Sequence, residues 1–188
     1  MTFRYDDSDH SYWLDGQQVP SITQMIERAG LVDSTWLTQA SRERGTAVHA
    51  LTASYDLGAI ERPASCSSPY KGYLLAHVKA VGIMRPEFVA VEEPRLHSRY
   101  RFGGRPDRAM LYNGLAGVLE IKTAEPSKAH ECQTALQAIL ESERFELPAE
   151  ALGRFCLYLK PDGRFRLEEH RRRRDFDVAF RLIREQCG

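Results

Sequence analysis

The spacing of apolar and polar positions changes along the chain and divides it into helical and extended stretches. The opening reads as a hairpin: Phe3 to Tyr5, a polar Asp-Asp-Ser-Asp turn, then Ser11 to Leu14, with a second turn at Asp15-Gly16. After Pro20, Ser21 heads a short capped helix that stops at Gly30. Trp36, Leu37, Ala40, Ala47, Val48 and Leu51 form one apolar side and predict a longer helix from about Ser34 to Leu57. Pro and Ser make Glu61 to Pro69 a loop, and helical spacing returns over Tyr70 to Val81. The period then changes: Glu87 to Leu96, Tyr100 to Tyr112 and Leu115 to Thr123 are predicted as three strands joined by short turns. Lys128 to Arg144 is a predicted helix, with Ala135, Leu136, Ile139 and Leu140 apolar. Arg154 to Leu159 and Arg164 to Glu168 form a predicted hairpin across Pro161-Asp162-Gly163, and Asp175 to Gln186 a closing amphipathic helix. This order predicts an α/β (α+β) architecture, with helices packed around a small central sheet.

With 188 residues, 43% apolar and 28% charged, the expectation is one soluble domain over residues 1–188. No apolar run approaches the roughly 18 residues of a membrane helix. The first residues lack the apolar core of a signal peptide, so the cytoplasm is the expected compartment. The 26 basic and 26 acidic side chains cancel, which argues against indiscriminate polyanion binding but leaves room for a local basic groove. All but five of the basic residues are arginine, so the place of each lysine is informative. Cys66, Cys132, Cys156 and Cys187 are scattered without a CxxC pair, which indicates neither a zinc ribbon nor a disulfide framework.

The chemistry concentrates between Gly103 and Thr123. Asn113-Gly114 between two strand-like runs signals a two-residue hairpin, because a type I′ turn needs positive φ at both positions. If Tyr112 pairs with Leu115, counting back sets Asp107 directly opposite Glu120. Like charges in that position destabilise a sheet, and a divalent cation between them would turn the repulsion into a ligand set. Glu120 and Lys122 point to one face, while Leu119 and Ile121 point into the core. Two acids and an amine around one point suit Mg²⁺ or Mn²⁺ and chemistry on a phosphoryl group.

These residues also carry a family resemblance. Gly104-Arg105-Pro106-Asp107 followed by Glu120-Ile121-Lys122 resembles the divergent PD-(D/E)XK nuclease motif. Arg44 to His49, RGTAVH, is similar to the R-G-x-x-x-H motif of the RecB-like, phage-type exonuclease branch, whose histidine is a metal ligand. Pro20 to Thr23 resembles that branch's P-S-[VI]-T segment, and Gln133 its Q-x-x-x-Y motif, with Gln137 in place of the tyrosine. Phe155 to Phe165 resembles the strand pair that follows in phage-encoded members.

The resemblance implies a restriction-endonuclease-like core, a small central mixed sheet flanked by helices, and a metal-dependent deoxyribonuclease, in particular an exonuclease. By the same likeness, His49, Asp107 and Glu120 hold Mg²⁺ or Mn²⁺ with the Ile121 carbonyl as a backbone ligand. Lys122 orients the attacking water and stabilises negative charge, beside the catalytic acids Asp107 and Glu120. Gln133 places the water or the scissile phosphate, and Ser21, Thr23, Arg44 and Arg105 contact nucleic acid. Cys156 and Cys187 are too far apart for the branch's iron–sulfur cluster, so none is expected. DNA is the expected partner, with no membrane. A homo-oligomer, or a partner protein from recombination or replication, is compatible with this picture.

Other residues are less decided by the sequence. Gly45, one turn before His49, has a spacing that would let its helix approach the sheet closely. Glu92 and Glu93 precede the hairpin, and strand alternation leaves open which of them faces the site. Arg42, Arg99, Arg101 and Arg108 flank the site and could pair with phosphates, and Arg171 to Arg174 form the densest basic run. Tyr70, Tyr73, Trp13 and Trp36 could stack on bases. His10, His77, His97, His130 and His170 lack such company and are assigned no role. Two rival readings remain: a non-cleaving nucleic-acid-binding module or nuclease subunit of the same fold, and a two-carboxylate hydrolase such as a glycosidase.

Overall fold

A computed structural model describes residues 2–32 and 38–187. The predicted helix start at Ser34, with Trp36 and Leu37, lies outside the described residues. At the N-terminal side, β1 (Phe3–Asp6), β2 (Ser11–Leu14) and β3 (Gln17–Val19) make an antiparallel sheet that buries Tyr12, Leu14 and Val19. Helix α1 (Ile22–Arg28) begins with a full capping box: the Gln24 N–H donates to Ser21 Oγ at 3.2 Å, and Gln24 Oε1 accepts from the Ser21 N–H at 3.1 Å. Helices α2 (Gln39–Asp56) and α3 (Lys71–Met84) follow. In α2 only Val48 and Thr52 are fully buried, a narrower stripe than the apolar pattern implied.

Two of the three strands predicted in the middle are each divided. Glu87 to Leu96 becomes β4 (Glu87–Val91) and β5 (Arg95–His97), and Tyr100 to Tyr112 becomes β6 (Phe102–Gly104) and β7 (Arg108–Tyr112). The breaks fall at Pro94 and Pro106, which cannot donate to a ladder. At the first break, Glu92 also turns the chain with a φ of 49°. β5 and β6 pair as a small sheet of their own, and β6 is bridged to Ser21, with the Gly103 N–H donating to the Pro20 carbonyl at 2.9 Å. That link holds the start of α1 against β6.

The central sheet is completed by β8 (Leu115–Lys122), β9 (Gly153–Leu159) and β10 (Phe165–Glu169), in the order β10-β9-β8-β7-β4. Only β8 and β9 run parallel, and α4 (Lys128–Phe145) makes the crossover between them. With α5 (Arg174–Gln186) there are five α-helices among the described residues. α1, α4 and α5 cover one face, meeting Val118 through Leu136, Leu140 and Phe176. α2 and α3 cover the other, where Val48, Tyr73 and Ala76 pack on Leu119, Ile121 and Leu157. β8 is therefore buried on both sides, as expected for a strand with a parallel neighbour. α3 lies so close to the β9–β10 turn that a Cβ at Gly72 would stand 1.7 Å from the Pro161 carbonyl oxygen. Among the described residues, no helix is long and apolar enough to cross a membrane.

Candidate functional site

Asn113 and Gly114 take φ values of 51° and 77°, the left-handed geometry of the predicted turn. The ladder runs in the expected register from Tyr112↔Leu115 to Arg108↔Leu119 and ends there, one pair short of Asp107 and Glu120. The expected head-on pair of acids does not form. Pro106 interrupts the strand, and the Asp107 carboxylate closes its end instead, Oδ2 accepting from the Ile121 N–H at 2.6 Å. The N–H and C=O of one strand residue point the same way. The Ile121 carbonyl thus leaves β8 on the side of Asp107, while its side chain is buried in the opposite core.

Asp107 meets His49 rather than Glu120. His49 Nδ1 lies 3.1 Å from Asp107 Oδ1 and 3.3 Å from Glu92 Oε1, and ligand-type atoms of His49, Glu92 and Asp107 all fall within 4.8 Å of one another. The left-handed backbone at Glu92 decides which of the two glutamates faces the site: Glu92 turns in, and Glu93 pairs with Arg144 at 2.9 Å. Strict alternation cannot express that choice. The Glu92 N–H also donates to the Asp107 carbonyl at 3.0 Å, tying the end of β4 to the start of β7.

Glu120 sits beside this group, in a cage of donors. It is 2% exposed. Its Oε1 accepts from Lys122 Nζ at 2.6 Å and Gln133 Nε2 at 2.7 Å, and its Oε2 from Gln137 Nε2 at 2.5 Å. Gln133 and Gln137 are one turn apart on α4, so both amides reach the same carboxylate. The motif points to Gln133 alone, with Gln137 only replacing its tyrosine; the i,i+4 pair of amides is the sequence signal for the second donor. Gln137 Oε1 is buried without a partner.

The charges are interdependent. Burial works against protonating His49, but the Asp107 and Glu92 carboxylates, helped by Glu120, prevail and raise it to about 10. The imidazolium thus places a proton between two carboxylates in the metal-free protein. Burial likewise opposes charge on Lys122, and Glu120 and Asp107 outweigh it, raising its pKa above the usual lysine value.

These groups open into one cleft with a volume of about 1040 Å³. His49, Glu92, Asp107, Glu120, Lys122, Gln133 and Gln137 line it, together with Ser21, Thr23, Arg42 and Arg105. Arg105 spans the cleft wall, its Nε 3.4 Å from Glu92 and its Nη1 3.5 Å from Asp7. Arg44 does not join the cleft lining and reaches Thr123 Oγ1 at 3.4 Å. A Cβ at Gly45 would meet nothing within 4 Å, so this glycine does not serve close helix–sheet packing; it borders the cleft. Of the proposed stacking groups, Tyr73 is buried in the core and Trp13 lies under the Arg4 guanidinium. Arg101 is engaged with Gln17, and Arg171 with Glu169.

One imidazole and two carboxylates make a hard, mixed donor set. It fits Mn²⁺, and Mg²⁺ less well because of the nitrogen ligand. In comparisons with known proteins, no family model and no curated protein matches the chain.

Proposed function

We propose that this chain is a Mg²⁺- or Mn²⁺-dependent deoxyribonuclease that hydrolyses phosphodiester bonds from DNA ends. The observation that carries this reading is the convergence of His49, Glu92 and Asp107, from three separate segments of the chain, within 4.8 Å in a cleft shared with Glu120 and Lys122. The mixed five-stranded sheet with helices on both faces supports it, being the core implied by the resemblance to PD-(D/E)XK nucleases. Exonucleolytic action rests on the resemblance to RecB-like enzymes.

In this reading His49, Glu92 and Asp107 hold the cation, with the Ile121 carbonyl on the same side. A bound ion supplies an activated water and neutralises charge on the phosphoryl group. Lys122 donates to that water or to the developing negative charge. Gln133 and Gln137 keep Glu120 from swinging, and Arg42 and Arg105 offer guanidinium donors to phosphates. A DNA substrate and the four free cysteines agree with a cytoplasmic setting.

The saturation of Glu120 by three donors favours a second reading, a module of the same fold that binds nucleic acid without cutting it. Digestion of 5′- and 3′-labelled linear and circular DNA with Mn²⁺ separates the two. Chelator-sensitive loss of linear DNA with circular DNA intact supports the exonuclease, and cutting of circles an endonuclease. Retention on DNA without any cleavage supports the module.

A further inference from the structure

We propose that Arg108 is the positioning residue of this site: it registers the helix that carries His49 against the strand start that carries Asp107. The inference rests on the metal-site reading above. Arg108 is fully buried, and its guanidinium donates in three directions. Nε bonds Asp56 Oδ2 at 2.6 Å, Nη2 bonds Thr52 Oγ1 at 3.2 Å, and Nη1 bonds the Asp107 carbonyl at 2.6 Å.

Two of the branches end on the support of a candidate ligand, and the third on Asp56, in the helix that carries His49. The Thr52 hydroxyl in turn donates to the His49 carbonyl at 3.0 Å, so Arg108 is one hydroxyl away from the backbone of His49. Thr52 and Asp56 stand one turn apart on α2, on the side that carries His49. The Asp107 carbonyl that accepts from Arg108 also accepts the Glu92 N–H, and Nη1 lies 3.6 Å from Glu92 Oε1. A single planar cation thus braces the supports of His49, Glu92 and Asp107 together.

Behind it the chain of charge continues. Both Asp56 oxygens accept from His77 Nε2–H, at 2.9 and 2.8 Å, leaving His77 Nδ1 buried and without a partner among the described residues. Arg108, Asp56 and His77 are at most 1% exposed at their side chains. Well-packed apolar residues would fill this space without the desolvation cost. What apolar residues cannot supply is the fixed angle between α2 and β7 that a three-branched fork imposes. None of Arg108, Thr52, Asp56 and His77 lines the cleft, so Arg108 acts through its neighbours and not on a substrate.

The test compares wild type with an apolar replacement of the whole buried set, Arg108→Met, Asp56→Leu and His77→Leu, which leaves no charge orphaned. The triple variant is expected to melt no lower than wild type. In its metal-free crystal structure, the His49–Asp107 contact of 3.1 Å should open beyond hydrogen-bond range. Calorimetry should show its Mn²⁺ affinity down about 10–100-fold, the usual cost of losing support around a ligand. Arg108→Lys, which can satisfy Asp56 but not Asp107 and Thr52 as well, should fall between. A triple variant that keeps both the contact and the Mn²⁺ affinity overturns the proposal. Should the triple variant fail to fold, Thr52→Val removes only the hydroxyl link, and unchanged Mn²⁺ affinity there overturns it equally. Wild type that binds no Mn²⁺ would sink the metal reading, whereas the metal-free contact distance still decides the role of Arg108.

Discussion

His49 Nδ1 stands 3.1 Å from Asp107 Oδ1 and 3.3 Å from Glu92 Oε1, so one imidazolium proton serves two carboxylates where a cation would sit. A metal must displace that proton. With His49 held at about 10, the site is protonated through neutral pH, and metal binding should release about one proton. Mn²⁺ affinity is expected to rise about tenfold per pH unit between pH 6.5 and 10. Calorimetry in two buffers of different ionisation enthalpy counts the proton directly. Affinity that is flat across this window would show that no proton is held on His49 in the metal-free site above pH 6.5.

The same proton governs the stability of the metal-free protein in alkali. The folded pKa of His49 lies above its unfolded value of about 6.5. Its contribution is therefore complete below pH 6.5 and lost as pH rises through about 10. His130 behaves oppositely: burial, then the charge of Lys122, lower it to about 4. Its contribution is complete above pH 6.5 and lost as pH falls through about 4. Thermal melts in chelator should peak near the junction of the two windows. His49→Ala should flatten the alkaline limb and His130→Gln the acid limb; limbs unchanged in both variants would show that neither proton matters to folding.

Gln137 presents two opposed energies at one side chain. Its bond to a charged acceptor is worth about 1.5–3 kcal/mol, and its unpartnered Oε1 costs about 1–3 kcal/mol. Gln137→Leu removes both but leaves Glu120 Oε2 buried without its donor, so stability should fall by about 1–3 kcal/mol. Cleavage by the folded variant should also slow about tenfold in kcat, near 1.4 kcal/mol, because Glu120 loses the donor that fixes Oε2. A loss of stability with kcat unchanged would instead make Gln137 a structural residue.

Much of the scaffold could be read from local chemistry. The Asn113-Gly114 turn set the β7–β8 register, Ser21 marked the start of α1, and alternation placed Leu119 and Ile121 opposite Glu120. Of what escaped, the Pro106 break and the Gln133–Gln137 pair had local signals, whereas the roles of Glu92 and Arg108 depend on contacts that no local pattern encodes. Pro106 stops the ladder before Asp107, so the acid pair never faces across it. Glu92 enters the site through a single left-handed residue. Arg108 looked like one more phosphate-binding arginine, and only the packing of α2 on the sheet buries it. Gln137 was judged by the tyrosine it lacks, although its own amide reaches Glu120.

Ser21 has two roles that one pair of variants can separate. Its oxygen accepts the Gln24 N–H, while its hydroxyl lines the cleft and keeps a proton to donate. Ser21→Ala should lose about 1 kcal/mol of stability with the cap. Ser21→Asp keeps the cap but sets a negative charge toward a phosphate, so it should melt like wild type and bind DNA more weakly at low salt. Equal DNA affinity for the aspartate variant, measured by fluorescence anisotropy, would leave Ser21 as a cap alone.

Lys122 separates chemistry from binding. It is the cleft's single lysine, and its ammonium lies 2.6 Å from Glu120 Oε1. Replacing it leaves that buried carboxylate with two amide donors, Gln133 and Gln137, so the fold should survive. Lys122→Met keeps the length of the side chain and removes only the charge and its protons. If the amine acts on charge that develops during the reaction, kcat should fall about 10²–10³-fold while DNA affinity barely changes. Single-turnover cleavage and anisotropy on the same duplex read the two quantities. A matching loss in both would make Lys122 a phosphate anchor, and the proposed catalytic role would pass to the groups around Asp107.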